Sequence, residues 1–453
     1  PIRSEKERDI LIMVDMKAKP FYLSEEDCKW VEETIAGMTT EEKIGQLFFN
    51  MGSSRDEEYL KMTVDKYHIG GIRYNPATGA EVREQNRILQ ENSKIPLIIA
   101  CNTENGGNGA CTDGTMIGQQ TKIGATRDAR YAYELGRMSN KEAAAIGCNL
   151  SFAPVSDILY NWENPVIGLR TYGNDVDRVC EMTKAYMDGA HTNEGFCCAA
   201  KHFPGDGLDF RDQHVADSVN DMSCEEWDAS YGKVHQNLID NGLEAIMAGH
   251  IMQPAYTRHF NPGIKDEDIM PATLSPELIE GLLRGKLGFN GMVLTDASHM
   301  VGLTCCMKRS EMLPHTIAAG VDMFLFFNEM DEDFASMMAG YENGIITEER
   351  LNDALHRILA LKAHMGLHKK AKNEIVPPVE VMEQVVGCEE HKAMAREISE
   401  KGITLVKYKD EDVLPMIPSR YKRIMIVSVS GLSAGVMGTM MAKYMGGGKK
   451  SPA

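Results

Sequence analysis

The chain lacks several features that would assign it to a common functional class. No run approaches the about 20 apolar residues that a membrane-spanning helix requires. No C-x-x-C spacing suggests a zinc site, and neither G-x-G-x-x-G nor a P-loop follows an apolar run. Positive charge is scarce, since 48 Lys and Arg stand against 66 Asp and Glu and leave a net charge of −18. We therefore expect no membrane or nucleic-acid partner, no metal and no other cofactor.

The cysteines do not suggest a disulfide framework. They number 11, several lie inside apolar runs that end at residues such as Cys101, and two vicinal pairs occur, Cys197–Cys198 and Cys305–Cys306. Buried free thiols are typical of a reducing compartment. The first 20 residues carry too many charges for a signal peptide. These features predict a cytoplasmic protein.

Short apolar runs, each of the length of a strand buried on both faces, recur along the chain. They occupy residues 44–50, 70–75, 96–102, 149–157, 195–205, 243–251, 291–297 and 321–327. Between them lie segments with helical periodicity, among them 81–93, 177–194 and 275–288. Alternating strands and helices imply right-handed crossovers and a parallel sheet, and eight strands predict a (β/α)8 (TIM) barrel. An open doubly wound sheet is the competing fold.

The predicted barrel occupies residues 1–370, which include an N-terminal extension, and closes with a helix over 347–367. A polar linker with the pair Pro377–Pro378 is predicted over 371–388. Residues 389–453 then read as the start of a second α/β domain, cut short. Its predicted elements are a helix near 389–401 and strands over 402–408 and 423–431.

Polar side chains follow the predicted strands where each strand ends. These residues are Asn102, Glu104, Asp157, Lys201, His202, His250 and Asp296. They are far apart in sequence, but a barrel brings the carboxyl ends of its strands to one mouth, where active sites lie. We therefore expect them to form one site, in which Asn102, Glu104 and His250 are among the residues that bind the substrate.

Asp296 directly follows the apolar run over 291–295 in "GMVLTDA". Its carboxylate could act as a nucleophile or stabilise a developing positive charge. It could equally cap the helix that follows, as Asp often does. Position alone does not separate these two interpretations.

The segment from Lys201 to His214 reads "KHFPGDGLDFRDQH" and ends in an Asp-x-His pair. In an extended loop, Asp212 and His214 share one side, so the carboxylate could hold one ring nitrogen while the other moves a proton. A solvated surface pair is the alternative. A metal site of His202, His214 and Asp212 is a further alternative, although no firm third-ligand pattern supports it.

Lys201 and His202, together with Arg170 in "NPVIGLRTYG", have the donors needed to hold sugar hydroxyls. The alternative for Lys201 and His202 is an ion-pair network at the barrel mouth with Asp206 or Asp209. Arg170 could instead be a structural anchor of its loop.

The loop resembles the K-H-F-x-G-x-G…D-x-H signature of glycoside hydrolase family 3, in particular its NagZ-like β-N-acetylhexosaminidase branch. Further blocks of that family occur in the expected order over about residues 38–430. They are "MTTEEKIGQLF", "GCNLSFAPVSDI", "NPVIGLRTYG", "MAGHI", "LLRGKLGFNGMVLTDASHM" and "AAGVDMF".

The resemblance implies a retaining, two-step reaction. It implies Asp296 as the nucleophile, His214 as the acid and base, and Asp212 as the partner that orients the imidazole. It also implies that Lys201, His202 and Arg170 hold the terminal sugar. A neutral imidazole adds no negative charge beside the acceptor, so phosphate could replace water.

Three positions depart from the family pattern. Asn102 stands where an Asp usually binds a sugar hydroxyl, and the Arg that usually follows is missing from "NGACTDGT". Ala297 stands where a second acidic residue is common, and the loss of that charge should lower the pKa of Asp296.

We expect an exo-acting β-N-acetylglucosaminidase that takes small oligosaccharides or amino-sugar glycosides, plausible substrates being cell-wall fragments, and that serves cell-wall recycling. The alternatives are a β-glucosidase, a glycoside phosphorylase and a non-catalytic sugar-binding barrel. Asn102 and the missing Arg are what suggest the last.

Overall fold

The computed structural model describes residues 11–406, together with Ser419 and Arg423. Its ten strands in chain order are β1 Phe48–Met51, β2 Gly71–Arg73, β3 Ile98–Cys101, β4 Leu150–Ser151, β5 Cys197–Phe203, β6 Ser218–Val219, β7 Ala245–Ala248, β8 Ile251–Met252, β9 Met292–Thr295 and β10 Phe324–Leu325. Eight of them form a parallel sheet in the order β10-β1-β2-β3-β4-β5-β7-β9. The short strands β6 and β8 pair separately.

The first and last strands of this order also meet. Thr295 donates its N–H to the carbonyl of Met323 over 3.1 Å, and Met323 bridges Leu294 just before β10. The sheet is therefore a nearly closed barrel, and the predicted (β/α)8 fold is confirmed. The competing open sheet is wrong, because an open sheet would leave β9 and β10 as unpaired edges.

The α-helices are α1 Glu25–Ala36, α2 Thr40–Gln46, α3 Glu57–Asp65, α4 Gly79–Asn92, α5 Gln120–Thr126, α6 Ala129–Ala145, α7 Val176–Ala190, α8 Cys224–Trp227, α9 Lys233–Asp240, α10 Pro254–Phe260, α11 Val301–Thr304, α12 Arg309–Ala318, α13 Met330–Glu342, α14 Glu348–His364, α15 Val379–Val385 and α16 Glu389–Lys401. Helix α14 shows how the sequence sets such bounds. The Thr347 side chain accepts the N–H of Arg350, acidic residues occupy the first turn, and Lys362 and His364 lie in the last.

Two predicted elements differ from the structure. Residues 44–46 belong to α2, because the capping box of Thr39 and Glu42 starts a helix that ends at Gln46, so the first strand begins only at Phe48. The helix predicted over 275–288 is a π-helix over Glu277–Lys286.

A buried charge network fastens the N-terminal extension to the barrel. Asp353 accepts Arg357 Nε over 2.9 Å and also pairs with Arg350. The same carboxylate accepts the N–H of Val14 over 2.9 Å, and Arg357 donates to the carbonyl of Ile12 over 2.6 Å. Removing one member would leave buried charges without partners.

The compact unit that contains the barrel extends to Ile403. It includes α15, which packs on α4 and α6, and α16, which packs on α5 and α6. The helix predicted near 389–401 is thus present as α16. The predicted boundaries at 370 and 388 stay predictions. Of the strand predicted over 402–408, residues 402–406 are described and form no strand, while 407 and 408 lie outside the described residues. The strand predicted over 423–431 also lies outside them, apart from Arg423. Within the described residues, no helix combines the length and apolarity needed to cross a bilayer.

Candidate active site

The predicted site residues lie at the carboxyl ends of the barrel strands, with Lys201 and His202 near the end of β5 and the others in the loops that follow strands. Three of them form one ion cluster. Arg170 donates Nε to Glu104 Oε2 and Nη2 to Glu104 Oε1, both over 2.9 Å, while Lys201 Nζ lies 2.5 Å from Glu104 Oε1. The ion-pair alternative named Asp206 or Asp209 as the partner of Lys201, but the partner is Glu104.

The charged groups in this cluster shift one another's pKa values. Burial alone would raise the pKa of Glu104, but Lys201 and Arg170 outweigh it and hold that pKa well below its usual range. Burial lowers the pKa of the Lys201 ammonium, and Glu104 opposes this shift only in part. A fixed carboxylate with two cations gives a rigid group of hydrogen-bonding atoms at the mouth.

A second group connects Asp157, His202 and Asp296. His202 Nδ1 lies 2.7 Å from Asp157 Oδ2, and His202 Nε2 lies 3.7 Å from Asp296 Oδ2. Asp157 also accepts the backbone N–H of His202 over 3.2 Å and that of Asp206 over 2.8 Å. The fully buried Asp157 therefore fixes the imidazole that faces Asp296.

Asp296 follows β9 and accepts the N–H of Ala297 at Oδ1 over 2.7 Å. It does not cap the following helix, because α11 begins at Val301 with Met300 as its N-cap. Burial alone would raise the pKa of Asp296, but His202, then His250, then the Ala297 N–H lower it. The expected direction of this shift thus agrees with the structure, and neighbouring imidazoles contribute to it. A carboxylate kept ionised in this position suits nucleophilic attack.

His214 and Asp212 form the predicted pair. His214 Nδ1 lies 2.6 Å from Asp212 Oδ1, which also accepts the His214 backbone N–H over 2.8 Å. The His214 side chain is 52% exposed, so Nε2 faces solvent at the mouth rather than a packed interior. Among the described residues, no hydrogen bond or ion pair joins His214 to Asp296.

The backbone nevertheless ties the His214 loop to the segment after Asp296. Val301 donates its N–H to the carbonyl of His214 over 3.1 Å, and Gly302 donates to that of Gln213 over 3.0 Å. The loop also rests on Gln213, whose Nε2 donates to Asp206 Oδ2 over 3.0 Å. Sequence reasoning missed Gln213, although it stands between the two residues of the signature pair.

His250, predicted as a substrate contact, has partners at both ring nitrogens. Its Nε2 lies 3.0 Å from the carbonyl of Ala297, and its Nδ1 lies 3.0 Å from Thr273 Oγ1. Burial lowers the pKa of His250. With both ring nitrogens engaged, His250 supports the loop that carries Asp296.

Two further residues offer unused polar groups at the mouth. Asn102 is half-buried after β3, and in the described part of the chain its side-chain amide has no hydrogen-bond partner. Arg73 ends β2, and its Nε is buried without a hydrogen-bond partner among the described residues. Arg73 was missed because its run reads as plain strand sequence; its signal is its position at a strand end.

The metal alternative for the mouth has no geometric support. The imidazoles of His202 and His214 are held by different carboxylates, Asp157 and Asp212. In the described part of the chain, one group of metal-type donors converges, and it consists of residues outside this site.

The comparisons with known proteins identify the family. The model of the family "Glycosyl hydrolase family 3 N terminal domain" matches residues 39–361. The "Beta-N-acetylglucosaminidase/beta-glucosidase" of Cellulomonas fimi is 41% identical over 414 residues, which are 91% of this chain and 72% of that protein.

Solved structures of similar proteins support the same family. "Beta-glucoside phosphorylase BglX bound to 2FGlc" superposes with a TM-score of 0.90 and 39% identity over 97% of this chain and 80% of that one. A glycoside hydrolase family 3 β-N-acetylglucosaminidase from Paenibacillus sp. str. FPU-7 gives a TM-score of 0.73 and 29% identity over 83% of this chain and 71% of that one.

The barrel and these matches define an enzyme of the glycoside hydrolase class. The chain belongs to glycoside hydrolase family 3, and the family resemblance inferred from the loop motif is confirmed.

Proposed function

We propose that this enzyme is a retaining exo-β-N-acetylglucosaminidase. In the first step, an Asp296 carboxylate oxygen attacks the anomeric carbon while the bond to the leaving oxygen breaks. A proton passes from His214 Nε2 to that oxygen. In the second step, His214 Nε2 takes a proton from water, whose oxygen displaces Asp296 and releases the sugar.

The observation that carries this proposal is the hydrogen bond between His214 and Asp212. Because Nδ1 lies 2.6 Å from the carboxylate, Nδ1 holds its proton there and Nε2 is the atom left to exchange one. The exposed ring can reach an aglycone at the mouth. The backbone bond from Val301 to His214 keeps this loop beside the nucleophile segment.

The remaining polar residues suit the terminal sugar. Lys201, Arg170 and His202 present donors that are already fixed by Glu104 and Asp157, so little side-chain entropy is lost on binding. Asn102 presents a free amide, and an amide can both donate to and accept from a hydroxyl. We assign His250 to the positioning of Asp296.

A second candidate function is that of a β-glucoside phosphorylase, which would differ in its acceptor, phosphate instead of water, and in its sugar, glucose. The high structural similarity to a protein of that name supports it. The proposed acid is an exposed imidazole and not a carboxylate, so it would not repel an incoming anion. The Arg73 guanidinium, whose Nε has no hydrogen-bond partner among the described residues, adds positive charge at the mouth. The Cellulomonas fimi relative is named for both activities, so N-acetylglucosamine and glucose are both candidate sugars.

One experiment separates these functions. Chromogenic N-acetyl-β-glucosaminide and β-glucoside are assayed with and without phosphate, and the products are separated as free sugar or sugar 1-phosphate. The first proposal expects faster turnover of the glucosaminide and release of free sugar when phosphate is present. Sugar 1-phosphate as the main product supports the phosphorylase, and binding without turnover supports the sugar-binding barrel.

The nucleophile is tested by trapping. An activated 2-deoxy-2-fluoro glycoside should add the mass of one fluorosugar to the wild-type chain, and peptide mapping should place it on Asp296. Asp296→Asn should stay unlabelled. Label on another carboxylate contradicts the assignment.

The compartment and the pathway are also proposals. All eleven cysteines are free thiols, which supports a reducing, cytoplasmic setting and a role in recycling amino-sugar fragments of the cell wall. The predicted division into a barrel, a linker and a second domain remains part of this proposal.

A further inference from the structure

A group of metal-type side chains lies at the end of the barrel opposite to the candidate active site. Cys197 is the first residue of β5, and Glu244 directly precedes β7, so both lie at the amino ends of their strands. His364 is the last residue of α14. The Sγ of Cys197, a carboxylate oxygen of Glu244 and a ring nitrogen of His364 lie within 4.8 Å of one another.

We propose that Cys197, Glu244 and His364 form a binding site for one divalent metal ion, best suited to Zn²⁺. A thiolate, an imidazole and a carboxylate together are typical zinc ligands, whereas Mg²⁺ and Ca²⁺ prefer oxygen ligands alone.

The distances fit a small ion. Tetrahedral zinc bonds of about 2.0–2.3 Å place ligand atoms roughly 3.3–3.8 Å apart. Glu244 Oε1 and His364 Nε2 are already 3.9 Å apart. Closing the three donors around an ion therefore takes shifts of about 1 Å or less, which side-chain rotation supplies.

The surroundings orient the ligands as a metal site requires. His364 Nδ1 lies 3.0 Å from the carbonyl of Phe21, which fixes the proton on Nδ1 and leaves the Nε2 lone pair toward Glu244. Glu244 Oε2 accepts the N–H of Cys198 over 3.1 Å, so Oε1 is the oxygen presented to the ion. His191 Nε2 lies 2.8 Å from the same Oε1, so a second imidazole adjoins the group.

An ion could enter the site from solvent, and its role there would be structural. The side chains of His364 and His191 are 30% and 29% exposed, while Cys197 is buried, so solvent reaches the group from the imidazole side. A bound ion would join β5, β7 and the end of α14, and through Phe21 the N-terminal extension. Groups at this end of a TIM barrel serve stability rather than catalysis.

No spacing pattern in the sequence indicates this site, and no metal was expected. The three ligands come from separate strands and a helix, so only the closed barrel brings them together. The expectation of no metal therefore does not hold under this proposal.

The test uses the full chain, stripped of metal with a chelator and then titrated with Zn²⁺ against a chromophoric competitor. We expect one Zn²⁺ per chain, a higher Tm with the metal and an unchanged kcat/KM. With Co²⁺ as the probe, we expect the near-ultraviolet charge-transfer band of a cobalt thiolate.

Cys197→Ser should remove this band and weaken Zn²⁺ binding by more than the about 10–100-fold that loss of an outer partner costs. Cys198→Ser is the matched control, because the neighbouring thiol points to the other face of the strand, and it should keep the band and the affinity. His364→Gln, at a partly exposed position, serves if Cys197→Ser does not fold. Zn²⁺ bound below one per chain, or equally well by Cys197→Ser, overturns the proposal, the latter because the ion then binds elsewhere.

Discussion

The backbone N–H of Val301 donates to the carbonyl of His214 over 3.1 Å. This bond joins the loop of the proposed proton donor to the segment that follows the proposed nucleophile by five residues. The acid and the nucleophile come from different strand ends, and loops alone would leave their separation variable. We expect this bond to keep the proposed acid and the proposed nucleophile on one side of the mouth.

His214→Ala should slow the cleavage of substrates with poor leaving groups by about 10²–10⁴-fold in kcat/KM, because the leaving oxygen then departs without a proton. Substrates with a dinitrophenyl leaving group should keep most of their kcat/KM, since that group needs no proton. Asp212→Asn should show the same pattern more weakly. An equal loss on both substrate types would argue against His214 as the acid.

His202→Ala should move the acid limb of the kcat/KM profile to higher pH. His202 lowers the pKa of Asp296, so its removal raises that pKa, and the carboxylate becomes protonated at a higher pH than in the wild type. The profile is measured on an activated glycoside, so that proton donation by His214 does not dominate. Asn102→Ala is the control for a lost sugar contact and should reduce activity without moving the limb. An unmoved limb in His202→Ala contradicts the electrostatic role.

Asp353→Ala should lower the free energy of unfolding by about 3–5 kcal/mol, because Arg357 would remain buried without its carboxylate and Arg350 would keep only Asp322. Urea unfolding measures the change. The comparison is Lys17→Ala, which breaks the exposed pair with Glu25 and should leave the free energy of unfolding almost unchanged. Similar losses in both variants would mean that the buried network contributes little.

Lys362→Met should stabilise the protein, and more at pH 6 than at pH 10. Burial lowers the pKa of Lys362 to about 7, below the unfolded value of 10.5. Between these values the folded state binds fewer protons than the unfolded state, so stability rises with pH there and is reduced below pH 7.

We expect the gain from Lys362→Met to differ between the two pH values by roughly 2–4 kcal/mol. Urea unfolding of both proteins at each pH measures it. Lys29→Met, at an exposed site paired with Glu33, should show almost no such difference. A pH-independent effect of Lys362→Met would show that Lys362 is not neutralised on folding.

The barrel could be predicted because buried parallel strands leave continuous apolar runs, and all eight runs contain or adjoin a strand. The strand limits could not. The run over 44–50 was predicted as one strand, but the Thr39 capping box makes its first half helical. The two-residue β4 shows the same limit, since which residues pair depends on neighbouring strands.

The site could be predicted as a set of strand-end residues, but its pairings could not. Glu104 pairs with Arg170 and Lys201, which lie in separate segments of the chain, and no spacing in the sequence encodes these contacts. The pair of Asp212 and His214 was predictable because it is local. Arg73 and Gln213 needed coordinates, since an ordinary residue type becomes informative only when its partners, or their absence, are known.

Asp157 is a shared anchor, because its two oxygens accept from the His202 ring, the His202 backbone and the Asp206 backbone. The sugar pocket and the base of the proton-transfer loop thus depend on one carboxylate. In a double-mutant cycle, Asp157→Asn and a substitution on either side are therefore expected to be non-additive. Variants meant to change sugar affinity and proton transfer to the leaving group separately should therefore be made at residues that Asp157 does not contact.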